Sequence, residues 1–265
     1  MKIEYIIDSN TTIKEFIYHK ISRNFFGYLK EHNVIYYVNN NIKKSYEEVF
    51  IGDNLIIIYD EEKLVDVILS NKELDIRYED DLFIVVNKEA HLQSIPSRRN
   101  PYDSIYNRLA YYFKDTNNTI HIVNRLDKET QGLILVCKSN YARAILKEYD
   151  KTYYAITNKK LEPDFGTINL PIARSEGIKR WVNDDGEYAI TNYKLVKYQD
   201  NLYHYDIKLE TGRTHQIRVH FAYLGSPLIN DTLYGGINTN SNLGLICKNI
   251  EFTHPIKLEK IIINL

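Results

Sequence analysis

Residues 124 to 132, NRLDKETQG, place an arginine and an aspartate two positions apart between runs of β-branched and aliphatic residues. If the segment up to residue 127 is a strand, His121, Val123, Arg125 and Asp127 share one face. Ile120, Ile122, Asn124 and Leu126 share the other. Arg125 and Asp127 then emerge together where the strand breaks into a turn, held by a sheet and open to a ligand. An aspartate ahead of a glycine-containing turn is also common for purely local reasons. On this segment alone the plain acidic turn is the better reading.

A second cluster lies in LETGRTHQIRVHFAYLGSPLIND, residues 209 to 231. Arg213, Thr214, His215 and Gln216 gather donors at the start of a helix, an arrangement suited to an anion such as phosphate. Arg218, in the first turn, is placed to reach a neighbouring carboxylate. His215 and His220 are five apart, on different helix faces, which argues against a shared metal. The third segment, LDIRYEDDLFIVVNKEAHLQSIPS at 74 to 97, reads as a buried strand followed by a loop that carries Lys88.

These clusters must be positioned by regular elements. The chain has 265 residues, enough for one large domain or a large and a small one. Thr11 or Thr12 caps a helix through about Lys20, and Ser22 caps a second from Arg23 to His32. Strands follow at Val34–Val38 and in LIIIY after Gly52-Asp53. LVDVIL, at 64 to 69, is a short strand candidate within a charged linker. Beyond it, strands are expected at Phe83–Asn87, Thr119–Leu126, Leu133–Cys137, Thr152–Thr157, Tyr188–Tyr198, Tyr203–Glu210 and Ile261–Asn264. Helices are expected at Ser104–Phe113 and after Ser139, the latter carrying Ala142, Ile145, Leu146 and Tyr149. A further helix is capped by Thr214 and ended by Gly225 and Pro227. The body is α+β, with a mixed, mostly antiparallel sheet.

Composition narrows the function classes. No apolar run approaches the roughly 20 residues of a membrane helix, and the N-terminus has no secretory pattern. Two cysteines without a CxxC pair point to a reduced, cytoplasmic protein with no structural zinc. A net charge of -1 means that any nucleic-acid surface is local. Arg98 with Arg99, and Lys179 with Arg180 beside the single tryptophan Trp181, are the basic stretches that qualify. Most of the 23 tyrosines are expected to be packing residues.

Taken together and in order, YEDDLFIVVNKEAH, NRLDKETQGL, KTYYA, PIAR with GEYAIT, and LETGRTHQIRVHFAYLGSPLINDTLYGG resemble the RluA-type pseudouridine synthases. The resemblance spans residues 74 to 255, including a terminal FTHP. Residues 1–60 resemble the alpha-L RNA-binding fold, residues 61–75 are a linker, and 76–265 form the catalytic domain. The resemblance implies the pseudouridine synthase fold, an RNA partner (large-subunit ribosomal RNA or transfer RNA), no cofactor and no metal. A monomer is the expected state.

Carried over by position, the family's catalytic aspartate falls on Asp127, its active-site tyrosine on Tyr153, and the arginine that pairs with the aspartate on Arg218. Arg125 matches a residue implied to help displace the target base. Arg98, Arg99, Lys179, Arg180 and Arg213 are expected to meet the RNA backbone, with His215 beside them. Ile217 and the LILVC strand are expected to wall the pocket. Asn124 stands in place of the family's histidine, Gln131 in place of its serine, and Glu89 and His91 in place of a proline and a glycine. These departures bear on substrate choice and loop geometry. The rival readings are a catalytically silent RNA-binding or ribosome-assembly protein on the same fold, and a hydrolase. The latter lacks a nucleophile elbow.

Overall fold

The structure, a computed structural model, describes residues 1–62, 66–175 and 177–265. Near the N-terminus four antiparallel strands lie in the order Lys2–Ile6, Asn54–Ile58, Ile35–Val38, Asn41–Lys43. They share a core with helices Ile13–Lys20 and Arg23–Glu31. Thr12 accepts the N–H of Glu15 at 3.3 Å and Ser22 that of Phe25 at 3.1 Å, the caps that the sequence calls for. Phe16, Ile17, Phe25, Phe26 and Leu29 are the buried stripes.

This core continues into the rest of the chain through Tyr141 and Ile145. Glu61 ties the junction: its carboxylate accepts the backbone and side-chain N–H groups of Asn140 at 2.8 and 2.9 Å and the Tyr59 hydroxyl at 2.9 Å. Of the strand expected at 64 to 69, Leu64 and Val65 lie outside the described residues, and Asp66 to Leu69 form no strand.

A ten-stranded sheet dominates the remainder. Its order is Phe165–Asn169, Ile190–Gln199, Leu202–Leu209, Tyr149–Thr157, Leu245–Thr253, Gln131–Cys137, Phe83–Lys88, Asp75–Glu79. Lys260–Asn264 pairs with Leu245–Thr253, and His121–Ile122 with Gln131–Cys137. All pairings are antiparallel except one short parallel contact, Gln131 to Ile246 and Gly132 to Cys247, which joins the two halves. Gly132 makes that joint feasible. It has φ +117°, and a Cβ there would lie 2.3 Å from the Cys247 carbonyl oxygen.

Three expectations are corrected. The strand at Thr119–Leu126 shrinks to His121–Ile122, because the Asn124 side chain takes over the ladder. It donates to Leu133 O at 3.1 Å and accepts from Leu135 N at 2.8 Å, which frees the chain to turn away. The helix after Ser139 is only Asn140–Ile145, and Tyr149 already begins a strand. The last helix, Gln216–Tyr223, is capped not by Thr214 but by His215, in the left-handed region. Gly225, at φ +78°, ends it as expected. Among the described residues no helix is long and apolar enough to cross a membrane.

Candidate active site

Asp127 sits on a loop whose backbone is fixed from several directions. The Ser94 hydroxyl donates to Leu126 O at 2.9 Å and accepts from Leu126 N at 3.0 Å. Thr130 N closes a turn onto Asp127 O at 3.1 Å. The expected parity survives as burial: Asn124 and Leu126 point in, Arg125 is exposed, and Asp127 is partly exposed.

Lys88, expected as a loop lysine, is fully buried. Its ammonium donates to the carbonyls of Glu89, Leu92 and Lys128 at 2.9, 2.7 and 3.0 Å. It therefore clamps the loop after its own strand to the residue beside Asp127. Burial pushes its pKa down to about 8, against the opposing charges of Asp127, Glu129 and Glu89. The two departures nearby also make ties. Glu89 pairs with Arg108 at 2.8 Å, and His91, at φ 64°, pairs with Glu129 of the turn.

Arg218 projects from the helix toward Asp127, but its first partner is Asp231. Nε and Nη2 each donate to that carboxylate at 2.8 Å, and both residues are buried. The remaining nitrogen, Nη1, stands 3.8 Å from Asp127 Oδ2. His215 Nε2 approaches the same oxygen to 3.9 Å, and its Nδ1 lies 2.8 Å from the Tyr234 hydroxyl. Burial pushes the His215 pKa below its usual value. Asp127 opposes that shift and Arg218 adds to it. His215 thus belongs beside the aspartate, not only at an anion-binding helix end.

Asp127, His215 and Arg218 line a cavity of about 650 Å³. Tyr153, Tyr149 and Lys151 form one wall, Gln93 to Ser97 another, and Arg213 to Arg218 a third. Ile217 is among the lining residues, as expected. The LILVC strand is not, and the apolar walls come instead from Ile95, Ile122, Leu209 and Leu245. Tyr153 is buried, and burial, followed by Cys247 and Asp127, holds its pKa well above the usual tyrosine value. Its phenol is neutral near pH 7, able to stack or to donate a hydrogen bond. The Lys151 ammonium lies 5.8 Å from the Tyr153 ring centre, and burial pushes its pKa down.

Of the expected RNA-binding basic residues, Arg125 and Arg213 line the cavity and the others do not. Arg125 is exposed and lines the cavity. Arg98 and Arg99 are exposed at the tip of a tight turn closed by Ser97 and Asn100. Arg213 lines the rim, donating to Tyr188 O at 3.0 Å and pairing with Glu187 at 2.5 Å. Lys179 and Arg180 lie outside the lining, where Arg180–Val182 pairs with Ile172–Arg174 in a two-stranded ribbon and Trp181 is exposed. Sequence reasoning gave no role to Ser94, Lys88, Asp231 or Tyr234. The only advance signal for the last two was their place in PLINDTLYGG.

The fold, a mostly antiparallel mixed sheet with few helices, is shared with a solved structure. The human RNA Pseudouridylate Synthase Domain Containing 1 superposes with a TM-score of 0.60 at 20% identity, covering 74% of this chain and 84% of its own. The family model described as RNA pseudouridylate synthase matches residues 82–223, more than half of the chain. The chain belongs to this family, the RluA-type RNA pseudouridine synthases. It is 39% identical over 222 residues to an uncharacterized RNA pseudouridine synthase of Bacillus subtilis, YjbO, covering 78% of each protein. It is 35% identical over 217 residues to the ribosomal large subunit pseudouridine synthase D of Buchnera aphidicola from Acyrthosiphon pisum, covering 77% of this chain and 69% of that one. The chain is an isomerase that acts on RNA.

Proposed function

We propose that the chain isomerises particular uridines in structured ribosomal or transfer RNA, with Asp127 as the group that reacts beside C1′. The observation that carries this reading is the placement of the Asp127 carboxylate on the lining of the cavity, with Arg218 Nη1 and His215 Nε2 converging on its Oδ2. Isomerisation breaks the N1–C1′ bond, turns the uracil and joins C5 to C1′. The C5 hydrogen leaves as a proton and N1 takes one up, so no atom is gained or lost. A carboxylate serves this chemistry as nucleophile at C1′ or as acceptor of the C2′ proton.

A base within an RNA stack is out of reach, so the target nucleotide is flipped into the cavity at about a few kcal/mol. In this proposal Tyr153 stacks on the flipped uracil, and Arg125 fills the vacated space or holds a phosphate. Arg98, Arg99, Lys179, Arg180 and Arg213 meet the backbone around the mouth. Residues 1–60 add a second RNA contact, and the chain works as a monomer. The ribosomal assignment is supported by the name of the Buchnera relative.

Tritium release from RNA labelled at uracil C5 tests the assignment. The wild-type chain releases tritium and Asp127→Asn does not, while its RNA affinity is kept. Appreciable release by Asp127→Asn would overturn the role of Asp127, and none by the wild type would leave a silent binder. Mapping pseudouridines in cellular RNA with and without the gene identifies the uridine.

A further inference from the structure

We propose that Tyr234 holds His215 in its Nε2–H tautomer, so that His215 acts as a positioning residue that turns the Asp127 carboxylate toward the substrate. The proposal rests on the reading of Asp127 as the reacting group.

The hydrogen-bond count points to one tautomer. Tyr234 Oη receives the backbone N–H of Arg180 at 2.9 Å and lies 2.8 Å from His215 Nδ1. A phenol carries one proton to donate. If Nδ1 held a proton, two N–H groups would aim at one oxygen, and the hydrogen of the half-buried phenol would be left to solvent, with no other protein acceptor in reach among the described residues. Nδ1 is therefore the acceptor, and the proton of the neutral imidazole sits on Nε2, 3.9 Å from Asp127 Oδ2. The groups around the ring are Asp127, Arg218, Asp231, Arg180 and Tyr234. Burial disfavours the imidazolium among them, so the tautomer, not the charge, decides what Asp127 meets.

The backbone agrees. His215 occupies the helix cap with φ 58° and ψ 18° and makes no side-chain capping bond. Non-glycine residues held in the left-handed region gather at functional sites. Here that conformation sends the imidazole into the cavity lining rather than onto the first helical turn. With Arg218 Nη1 and His215 Nε2–H both on the Oδ2 side, Oδ1 is the oxygen offered to the nucleotide. The anchoring amide comes from Arg180 in the ribbon that displays Trp181, so the ribbon and the aspartate share one chain of contacts.

The test uses the full chain with ¹⁵N-labelled histidine. Long-range ¹H–¹⁵N correlation near pH 7, with His215→Asn for assignment, is expected to show the Nε2–H form of His215 in the wild type. Tyr234→Phe is expected to mix the two tautomers while keeping its ring over Arg218, which lies 5.2 Å from the ring centre. The same variant should lower the single-turnover rate by about 3–10-fold, the weight of one hydrogen bond, with RNA affinity unchanged. His215→Asn, which tolerates the left-handed backbone, should lower that rate at least as far. An Nδ1–H wild type, or Tyr234→Phe at the wild-type rate, overturns the proposal. An active Asp127→Asn overturns instead the reading on which it rests, so the two failures are distinguishable.

Discussion

Arg218 turns two of its guanidinium nitrogens onto Asp231 at 2.8 Å each and meets Asp127 only at 3.8 Å, through the third. The cation beside the candidate catalytic carboxylate is thus aimed by a second, fully buried carboxylate. Breaking a buried pair at one end strands the other charge, at roughly 3–5 kcal/mol. Asp231→Asn is expected to lose stability of about that size and to slow turnover by letting Arg218 leave its direction. Denaturant unfolding and tritium release measure the two effects. An unchanged unfolding midpoint would contradict the finding. Arg218→Lys should lower activity, because an ammonium cannot bridge Asp231 bidentately while facing Asp127.

Lys88 makes stability depend on pH. Its pKa is near 8 in the folded chain and near 10.5 when unfolded. Between those values the unfolded state binds more protons, so this contribution to stability rises with pH across about 8 to 10.5. Lys88→Met should remove that slope. It should also destabilise the fold by about 2–3 kcal/mol by leaving buried carbonyls unpaired. Unfolding free energies of both proteins across that pH range are the check. Parallel curves would rule the assignment out.

Gly132 is where the two halves of the sheet meet. In Gly132→Ala the new Cβ would lie 2.3 Å from the Cys247 carbonyl, on a backbone with φ +117°. Overpacking and backbone strain together should cost about 2–6 kcal/mol. Thermal unfolding is expected to show a large drop, and a variant as stable as the parent would mean that the parallel contact is not formed.

Arg99 and Lys179 are exposed and lie outside the cavity lining. Arg99→Ala and Lys179→Ala should weaken binding to all RNAs alike. Each should reduce the slope of log affinity against log salt by about one unit. Binding titrations at several salt concentrations measure this, and an unaltered slope removes that residue from the RNA path.

Much of the architecture was readable from local rules. Thr12, Ser22 and Ser104 cap where short polar residues precede apolar stripes, and Phe83–Lys88 is the buried strand that its continuous apolar run suggests. Local rules failed where a side chain replaced the backbone. Asn124 bonds to Leu133 and Leu135, so a segment with strand character is a loop. His215 caps its helix without a capping bond, and its ring meets the Tyr234 hydroxyl instead.

The sequence by itself determined the family and singled out Asp127, Tyr153 and Arg218 as the candidate site residues, since ordered motifs survive without knowledge of their distances. Tertiary structure alone decided who holds them. Lys88 reaches the site from the end of a strand, and Ser94, Asp231 and Tyr234 from loops and turns, and each has a bland local reading. Their roles come from burial and donor counting: a buried ammonium or guanidinium must find partners, and those partners are set by the packed fold.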